Sequence, residues 1–195
     1  GEISGMASHA GTTPMDRRRD AATAVAELAL YVEKRALRVA ETCVGTVGQL
    51  QVPNGSVNVV PGRCKFSLDL RATTNTARDA LMQDVLAELQ AICERRGLHY
   101  TLEETMRASA APSHPDWQTR WENAVKALGV PLFQLPSGAG HDAMKLHEIM
   151  PQAMLFVRGQ NAGISHNPLE STTSDDMQLA IDAFMHLLHD VAADC

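Results

Sequence analysis

The sequence has little of what a nucleic-acid-binding, membrane-spanning or secreted protein needs. Lys and Arg number 17 against 23 Asp and Glu, giving a formal net charge of −6 at pH 7. That balance disfavours a phosphate backbone or an anionic membrane as the main partner. No apolar run approaches the ~18 residues of a membrane span. The first residues carry neither the basic nor the apolar segment of a secretory leader. These absences predict a cytoplasmic protein with no nucleic-acid or membrane partner.

Cysteine and aromatic residues are also sparse. The four cysteines, Cys43, Cys64, Cys93 and Cys195, lie far apart and form no C-x-x-C pair, which disfavours a cysteine-based zinc or redox site. We expect free thiols in a reducing compartment, with disulfide bridges as the alternative. Aromatic residues make up only 4% of the chain, so its core must consist of aliphatic residues and methionine.

Several familiar catalytic motifs are missing. His147 and Glu148 begin an H-E-x-x-H pattern, but Pro151 stands where the second histidine belongs. The chain has no G-x-S-x-G turn, phosphate-binding loop or dinucleotide fingerprint. His186 and His189 are spaced to hold a metal on one helix face, although a solvated surface pair is the favoured interpretation.

Residues 1–108 follow the order strand, helix, strand, strand, helix, strand. We predict a first helix opened by Asp16 and strands over 44–52 and 63–71. A second helix is capped by Thr74 or Asn75 and ends near Gly97, and a last strand covers 98–102. This order is typical of the ferredoxin-like fold, an antiparallel sheet with two helices on one face.

Residues 109–195 show a different pattern of predicted helices, loops and strands. A linker-like stretch at the start of this region predicts a domain boundary near residue 110. A helix begins near Pro115, and residues 153–157 form an apolar run that predicts a buried strand of the parallel type. A T-x-x-D pattern from Thr173 to Asp176 opens the last helix. Its predicted buried face consists of Met177, Ala180, Ile181, Phe184, Leu188 and Val191. The predicted fold class is therefore α/β (α+β).

Two clusters in the first region could bind a ligand. His9 lies where a strand breaks into a glycine-bearing turn, and its ring could face a ligand or serve as a structural hydrogen-bonding group. Asn58 and Arg71 flank the Pro61-Gly62 connection. The Arg71 guanidinium could bind a carboxylate with two charge-assisted hydrogen bonds. The alternative is an ion pair with Asp69 or Asp20.

Two further clusters lie in the second region. Gly138-Ala139-Gly140 precedes a short predicted helix and could present backbone N–H groups to an anion or an oxyanion. His166 lies in a long loop after the apolar run, where α/β sheets hold ligands, and is a candidate metal ligand. Each cluster alone is a weak signal.

Taken together, the motifs are specific. In chain order they are H-A-G-T-T-P-M from His9, R-x-D-A from Arg18, N-V-V-P-G from Asn58, D-L-R from Asp69, S-G-A-G-H-D-A from Ser137 and G-I-S-H-N-P-x-E from Gly163. This series closely resembles the C-terminal half of zinc-dependent amidohydrolases. The group comprises allantoate amidohydrolases, N-carbamoyl-L-amino-acid hydrolases and β-ureidopropionases, within the superfamily of co-catalytic-zinc aminopeptidases and aminoacylases.

The resemblance implies a division of the chain into two parts. Residues 1–108 would be a ferredoxin-like dimerisation (lid) domain, and the protein would be a homodimer through it. Residues 109–195 would be the C-terminal segment of the α/β catalytic domain, whose N-terminal, metal-binding half has no match in this sequence.

The resemblance also implies roles for individual residues. His9 would reach across the dimer and polarise the substrate carbonyl in the partner's site. Asn58 and Arg71 would bind the substrate carboxylate, also across the dimer. Gly140 would contribute a backbone contact, with Ser137 and His141 lining the same wall. His166 would be the last metal ligand.

The activity implied is hydrolysis of a ureido C–N bond in a carboxylate-bearing substrate such as allantoate or an N-carbamoyl-L-amino acid, with release of ammonia and CO₂. The full-length enzyme would use two divalent metal ions, zinc or manganese. The remaining ligands and the general-base Glu match nothing here, and one ligand cannot hold zinc. We therefore expect this chain alone to bind no catalytic metal and to be inactive. The alternative is a stand-alone dimerisation or binding module without catalysis.

Overall fold

A computed structural model describes residues 1–194, which separate into two compact units. The first unit comprises residues 1–110 together with 136–138, and the second comprises residues 111–135 and those from 139 onward. The first continuous segment of the first unit ends at Ala110. The short return of residues 136–138 to the first unit has no counterpart in the sequence prediction.

The first unit contains two long helices and eight short strands. The strands are β1 (Glu2–Ser4), β2 (Ser8–His9), β3 (Val44–Thr46), β4 (Leu50–Gln51), β5 (Val59–Val60), β6 (Arg63–Phe66), β7 (Asp69–Arg71) and β8 (His99–Thr101). The helices are α1 (Ala21–Val39), between β2 and β3, and α2 (Asn75–Arg96), between β7 and β8.

An antiparallel sheet with the order β4-β6-β1-β8 forms the centre of this unit. In its register Ile3 lies opposite Cys64 on one side and Tyr100 on the other. Two separate ribbons pair β2 with β5 and β3 with β7. The core between the sheet and both helices includes Ile3, Leu28, Leu81, Leu89 and Ile92, all without exposed surface.

The strands are shorter than predicted because the chain leaves the ladder at two places. Residues 44–52 divide into β3 and β4, and residues 63–71 divide into β6 and β7. Gln49, between β3 and β4, contacts Ser67, between β6 and β7. The Ser67 hydroxyl accepts a hydrogen bond from the Gln49 N–H at 2.9 Å, and the Ser67 N–H donates to the Gln49 carbonyl at 3.1 Å. Between β1 and β2, the Gly5 N–H donates to the Gly62 carbonyl at 2.8 Å.

The helix ends follow local capping chemistry, with one correction. Asp16 does not open α1 but lies in a short 3₁₀ turn, and Asp20 caps the helix by accepting the Thr23 N–H at 3.1 Å. Thr74 caps α2 as predicted, with its hydroxyl accepting the Ala77 N–H at 3.2 Å. Gly97 ends α2 with a φ of 63°, a left-handed conformation that glycine adopts without a steric penalty.

The described residues of the second unit form three α-helices and a short 3₁₀ turn at Asn161–Gly163. The helices are α3 (Pro115–Ala127), α4 (Asp142–Leu146) and α5 (Ser174–Ala193). The predicted cap of α5 is confirmed, because the Thr173 hydroxyl accepts the Asp176 N–H at 3.0 Å. Helices α3 and α5 pack together, and the rings of Trp121 and Phe184 lie 5.8 Å apart between centroids.

Two predictions for the second unit are wrong. Residues 153–157 are not a buried strand: they have no strand conformation, and Phe156 and Val157 are exposed. No strand among the described residues of this unit is present to pair with them. The predicted apolar face of α5 is largely exposed as well. The buried residues of that helix are Ala183 and Leu187, which lie on a different line along it.

Two further structural features bear on the sequence predictions. No helix formed by residues 1–194 has the length and apolar character required to cross a membrane. Cys43, Cys64 and Cys93 are buried free thiols, while Cys195 lies outside the described residues. Burial raises the pKa of the thiols of Cys64 and Cys93, since a thiolate is poorly solvated there.

Candidate functional site

His9 lies at the end of β2, where a tight turn begins. Its backbone pairs with Val59 of β5, and the next N–H, that of Ala10, donates to the Asn58 carbonyl at 2.8 Å. The turn closes when the Thr13 N–H donates to the His9 carbonyl at 3.1 Å. The structure therefore brings His9, on β2, close to Asn58, the residue that precedes β5, although 49 positions of sequence separate them.

The imidazole of His9 is exposed and oriented by its own turn. The Gly11 N–H donates to Nδ1 of His9 at 3.0 Å. A neutral imidazole has one donor and one acceptor nitrogen, so an Nδ1 acceptor assigns the proton to Nε2. His9 thus presents an N–H donor outward, which suits a substrate carbonyl oxygen. A histidine followed two residues later by glycine is the only trace of this arrangement in the sequence.

The Asn58 side chain is likewise exposed and held by a local contact. Its Oδ1 accepts the Ser56 hydroxyl at 3.0 Å. With Oδ1 so assigned, the amide nitrogen of Asn58 carries two N–H donors. A carboxylate or carbonyl oxygen is the complementary ligand.

Arg71 ends β7 and forms the ion pair that the sequence left open. Its Nε and Nη2 donate to the two carboxylate oxygens of Asp69 at 2.8 and 2.6 Å, and Nη1 donates to the Gly138 carbonyl at 2.9 Å. This pairing lowers the pKa of the Asp69 carboxyl and raises the pKa of Arg71. Asp20, the other candidate partner, caps α1 instead.

The ion pair leaves part of the guanidinium available. An arginine has five N–H groups, and these contacts use three of them, leaving one on Nη1 and one on Nη2. About half of the side-chain surface of Arg71 is exposed. An incoming carboxylate could therefore be bound by both terminal nitrogens while Asp69 stays in place.

The glycine-bearing loop divides between the two units. Ser137 and Gly138 belong to the first unit, with Arg71, whereas Gly140 and His141 belong to the second. His141 is the residue before α4, but its side chain does not cap that helix. Gly140 is exposed, and a Cβ placed there would meet only the sulfur of Met144, at 3.7 Å.

His166 lies in the exposed loop that precedes α5. Its φ is 57°, and its N–H donates to the Glu170 carboxylate at 3.0 Å. Among residues 1–194 no group of three or more His, Cys, Asp or Glu side chains is arranged to hold a metal ion. The donor set of these residues therefore does not fit a complete metal site.

The sequence-predicted residues thus fall into separate groups. The first unit holds the His9–Asn58 pair and the Arg71–Gly138 pair with neighbouring Ser137; the second holds His166, His141 and Gly140. The arrangement in the first unit offers N–H donors that suit carbonyl and carboxylate oxygens. The Asp69 contact was one of the alternatives open from sequence, whereas the contact from Gly11 was not foreseen.

Comparison with known proteins identifies the fold and the protein family of this chain. The mixed α/β fold matches solved structures of amidohydrolases and carbamoylases. Residues 6–190 match the model of Peptidase family M20/M25/M40, and the chain belongs to this family.

Curated relatives have related activities. The chain is 38% identical over 190 residues to an N-carbamoyl-L-amino acid amidohydrolase of Geobacillus stearothermophilus, covering 97% of this chain and 46% of the relative. It is 32% identical, over an alignment of 212 positions, to an allantoate deiminase of Arabidopsis thaliana, and the match covers 95% of this chain and 40% of the relative. The chain thus spans less than half the length of these relatives.

Solved structures match nearly the whole of this chain and less than half of their own chains. A hydantoinase/carbamoylase family amidase from Burkholderia multivorans superposes with a TM-score of 0.90 at 31% identity, over 95% of this chain and 45% of the other. The crystal structure of AtUAH in complex with glyoxylate superposes with a TM-score of 0.85 at 27% identity, over 98% and 46% of the two chains.

Proposed function

We propose that this chain is part of an amidohydrolase that cleaves the ureido C–N bond of a carboxylate-bearing substrate such as allantoate or an N-carbamoyl-L-amino acid. The curated relatives support the reaction class, because they are amidohydrolases and deiminases of such compounds. The observation that carries the proposal is the outward N–H of His9 beside Asn58, in a family whose relatives act on ureido carbonyls.

Each predicted site residue has a role in this proposal. Nε2–H of His9 polarises the substrate carbonyl and stabilises negative charge on its oxygen. Asn58 and Arg71 bind the substrate carboxylate and orient it for reaction. Ser137, Gly140 and His141 would each contact the substrate, Gly140 through its backbone. The carboxylate of glyoxylate, bound by a solved relative, is the kind of group that such a clamp would hold.

The proposal assigns the first unit a ferredoxin-like dimerisation role. Support comes from the antiparallel order β4-β6-β1-β8, with α1 and α2 in the two long connections. In the dimer His9, Asn58 and Arg71 would act in the partner's site. Light scattering of the purified chain at micromolar concentration should give the mass of a dimer, and a monomer would contradict this part.

The metal requirement of the proposal is two divalent ions, zinc or manganese, in the complete protein, with His166 as one ligand. The donors described here supply too few ligands, so the others would come from polypeptide beyond this chain. We accordingly propose that the chain alone is inactive. Elemental analysis that finds stoichiometric zinc on the purified chain would overturn this expectation.

The test of the function uses the complete protein encoded around this chain. Ammonia release is measured with allantoate, N-carbamoyl-L-amino acids and 3-ureidopropionate. We expect hydrolysis of at least one of them and a loss of about a hundredfold or more in kcat for His9→Ala, because a transition-state hydrogen bond is removed. His189→Ala, which changes an exposed histidine of α5, is the matched control. Activity on none of these compounds would favour the stand-alone binding module.

A further inference from the structure

Arg18 has no part in the proposed chemistry, yet its side chain reaches the turn that carries His9. Its Nη2 donates to the Ala10 carbonyl at 2.6 Å, and its Nε donates to the Thr13 carbonyl at 3.1 Å. Nε and Nη2 form one edge of the guanidinium, so a single planar group binds both carbonyls. Arg18 is only partly exposed, unlike its neighbour Arg17.

These two carbonyls lie on either side of the Gly11 N–H. A hydrogen bond from the Thr13 N–H to the His9 carbonyl closes the turn formed by residues 9–13. The Arg18 guanidinium bridges two carbonyls of the same turn, those of Ala10 and Thr13. Gly11 lies inside this closed segment and donates to Nδ1 of His9. The direction of the Gly11 N–H therefore depends on a turn that Arg18 holds.

We propose that Arg18 is a positioning residue for His9. It holds the turn so that the Gly11 N–H stays on Nδ1, which keeps the imidazole proton on Nε2 and the ring in one orientation. The catalytic meaning of this arrangement rests on the proposed function, whereas the arrangement itself can be measured without catalysis. The R-x-D-A motif then has two local tasks, since Arg18 holds the turn and Asp20 caps α1.

The geometry explains why arginine and glycine occupy these positions. A lysine has one nitrogen at its tip and cannot bind both carbonyls with the fixed spacing of a guanidinium edge. A Cβ on Gly11 would lie 3.2 Å from Cε1 and 3.4 Å from Nδ1 of His9, which is tight enough to displace the ring.

The test is a nitrogen-15 NMR measurement on the chain itself, at a pH of about 8, where an ordinary imidazole is neutral. Long-range correlations of the His9 ring report which nitrogen carries the proton, and hydrogen exchange reports the Gly11 amide. The variants are Arg18→Ala and Arg18→Lys. Arg17→Ala is the matched control, because Arg17 is exposed and its guanidinium forms an ion pair with the exposed Asp16.

In the wild-type chain and in Arg17→Ala we expect the Nε2–H form to predominate. In Arg18→Ala the His9 ring should become a mixture of both neutral forms, and the Gly11 amide should exchange about tenfold faster. Arg18→Lys should behave like Arg18→Ala, because a lysine cannot bind both carbonyls; wild-type behaviour of Arg18→Lys would contradict the role of the two-carbonyl contact. Unchanged His9 signals in Arg18→Ala would overturn the proposal.

A general loss of structure must be separated from this local effect. Amides within α1 and α2 serve as the reference, since a positioning role leaves their exchange unchanged. Gly11→Ala provides a second variant that retains Arg18, and it should also shift the His9 ring signals. If Gly11→Ala leaves them unchanged in a folded chain, the proposed link between the Gly11 backbone and the His9 ring is wrong.

A kinetic comparison in the complete protein connects this arrangement to the proposed function. Arg18→Ala should lower kcat by about tenfold to a hundredfold with little change in KM, because a displaced His9 affects the transition state. If His9→Ala proves harmless while the NMR result holds, the proposed function of His9 fails and the positioning role of Arg18 survives. If His9→Ala is inactive and Arg18→Ala retains full kcat, the positioning role fails instead.

Discussion

Replacing Arg71 by alanine in the complete protein tests the carboxylate-binding part of the proposed function. Charge-assisted hydrogen bonds contribute about 1.5–3 kcal/mol, which corresponds to about a tenfold to hundredfold loss in kcat/KM. Since the Arg71 side chain is 48% exposed, competing water places the expected loss near the lower end of that range. The loss should appear as a higher KM, because the contact is equally present in the ground state and the transition state.

The ion pair with Asp69 adds a second effect. Without Arg71, the Asp69 carboxylate would repel a substrate carboxylate on the far side of the former guanidinium. Two charges about 7 Å apart interact by about 0.6 kcal/mol in water and by about 2.4 kcal/mol at an effective dielectric constant of 20. The double variant Arg71→Ala/Asp69→Asn should therefore have a kcat/KM about fivefold higher than that of Arg71→Ala, which corresponds to about 1 kcal/mol.

The assay compares kcat/KM for the wild type, Arg71→Ala and the double variant, on a substrate and on its carboxamide analogue. The analogue lacks the negative charge that Arg71 is proposed to bind, so Arg71→Ala should change its kcat/KM little. An equal loss on the carboxylate and the carboxamide would show that Arg71 acts by another route. Unchanged kcat/KM on the carboxylate substrate would remove Arg71 from the binding site.

Three further predictions concern the chain itself. Leu28→Ala should lower the free energy of unfolding by about 2–5 kcal/mol in urea denaturation because Leu28 is fully buried, whereas Leu30→Ala, on the exposed side of α1, should change it by no more than about 0.5 kcal/mol. The lowered pKa of Asp69 means that its ion pair stabilises the fold above the ordinary carboxyl pKa of about 3.9 and loses this effect as the pH falls through the lower folded value. The stability difference between wild type and Asp69→Asn, at most about 1 kcal/mol for so exposed a pair, should therefore shrink on acidification, and a difference that grows would contradict the assignment. Finally, Cys64 and Cys93 should resist iodoacetamide at pH 8 until urea unfolds the chain, as followed by mass spectrometry, since burial raises their thiol pKa values.

The predictions that the structure confirms are those with local causes. Thr74 and Gly97 mark the ends of α2 because a hydroxyl cap and a left-handed glycine act within one helical turn. Strand β6 lies within the predicted range 63–71, and its buried residues, Cys64 and Phe66, alternate with exposed ones as in a strand with one face against the core. Asp16 was the wrong choice for the start of α1, since both Asp16 and Asp20 suit a helix N-terminus and the 3₁₀ turn before Arg18 decides between them.

The predictions that failed required knowledge of distant partners. An apolar run such as residues 153–157 records hydrophobicity but does not specify which strand it pairs with, and the described residues of its unit offer none. The apolar residues of α5 satisfy a helical period in more than one way. This helix packs against α3, and the residues that are buried in it are Ala183 and Leu187. Periodicity defines a face without identifying the neighbouring surface.

The amino-acid order by itself determined the residue types, the capping groups and the family motifs, because these depend on a few neighbouring positions. The tertiary structure alone decided that Asn58 lies beside His9, that the Arg71 guanidinium divides between Asp69 and Gly138, and that Nδ1 of His9 is an acceptor. Hydrogen bonds are short and directional, so which donor meets which acceptor is settled only when strands distant in sequence are brought into register.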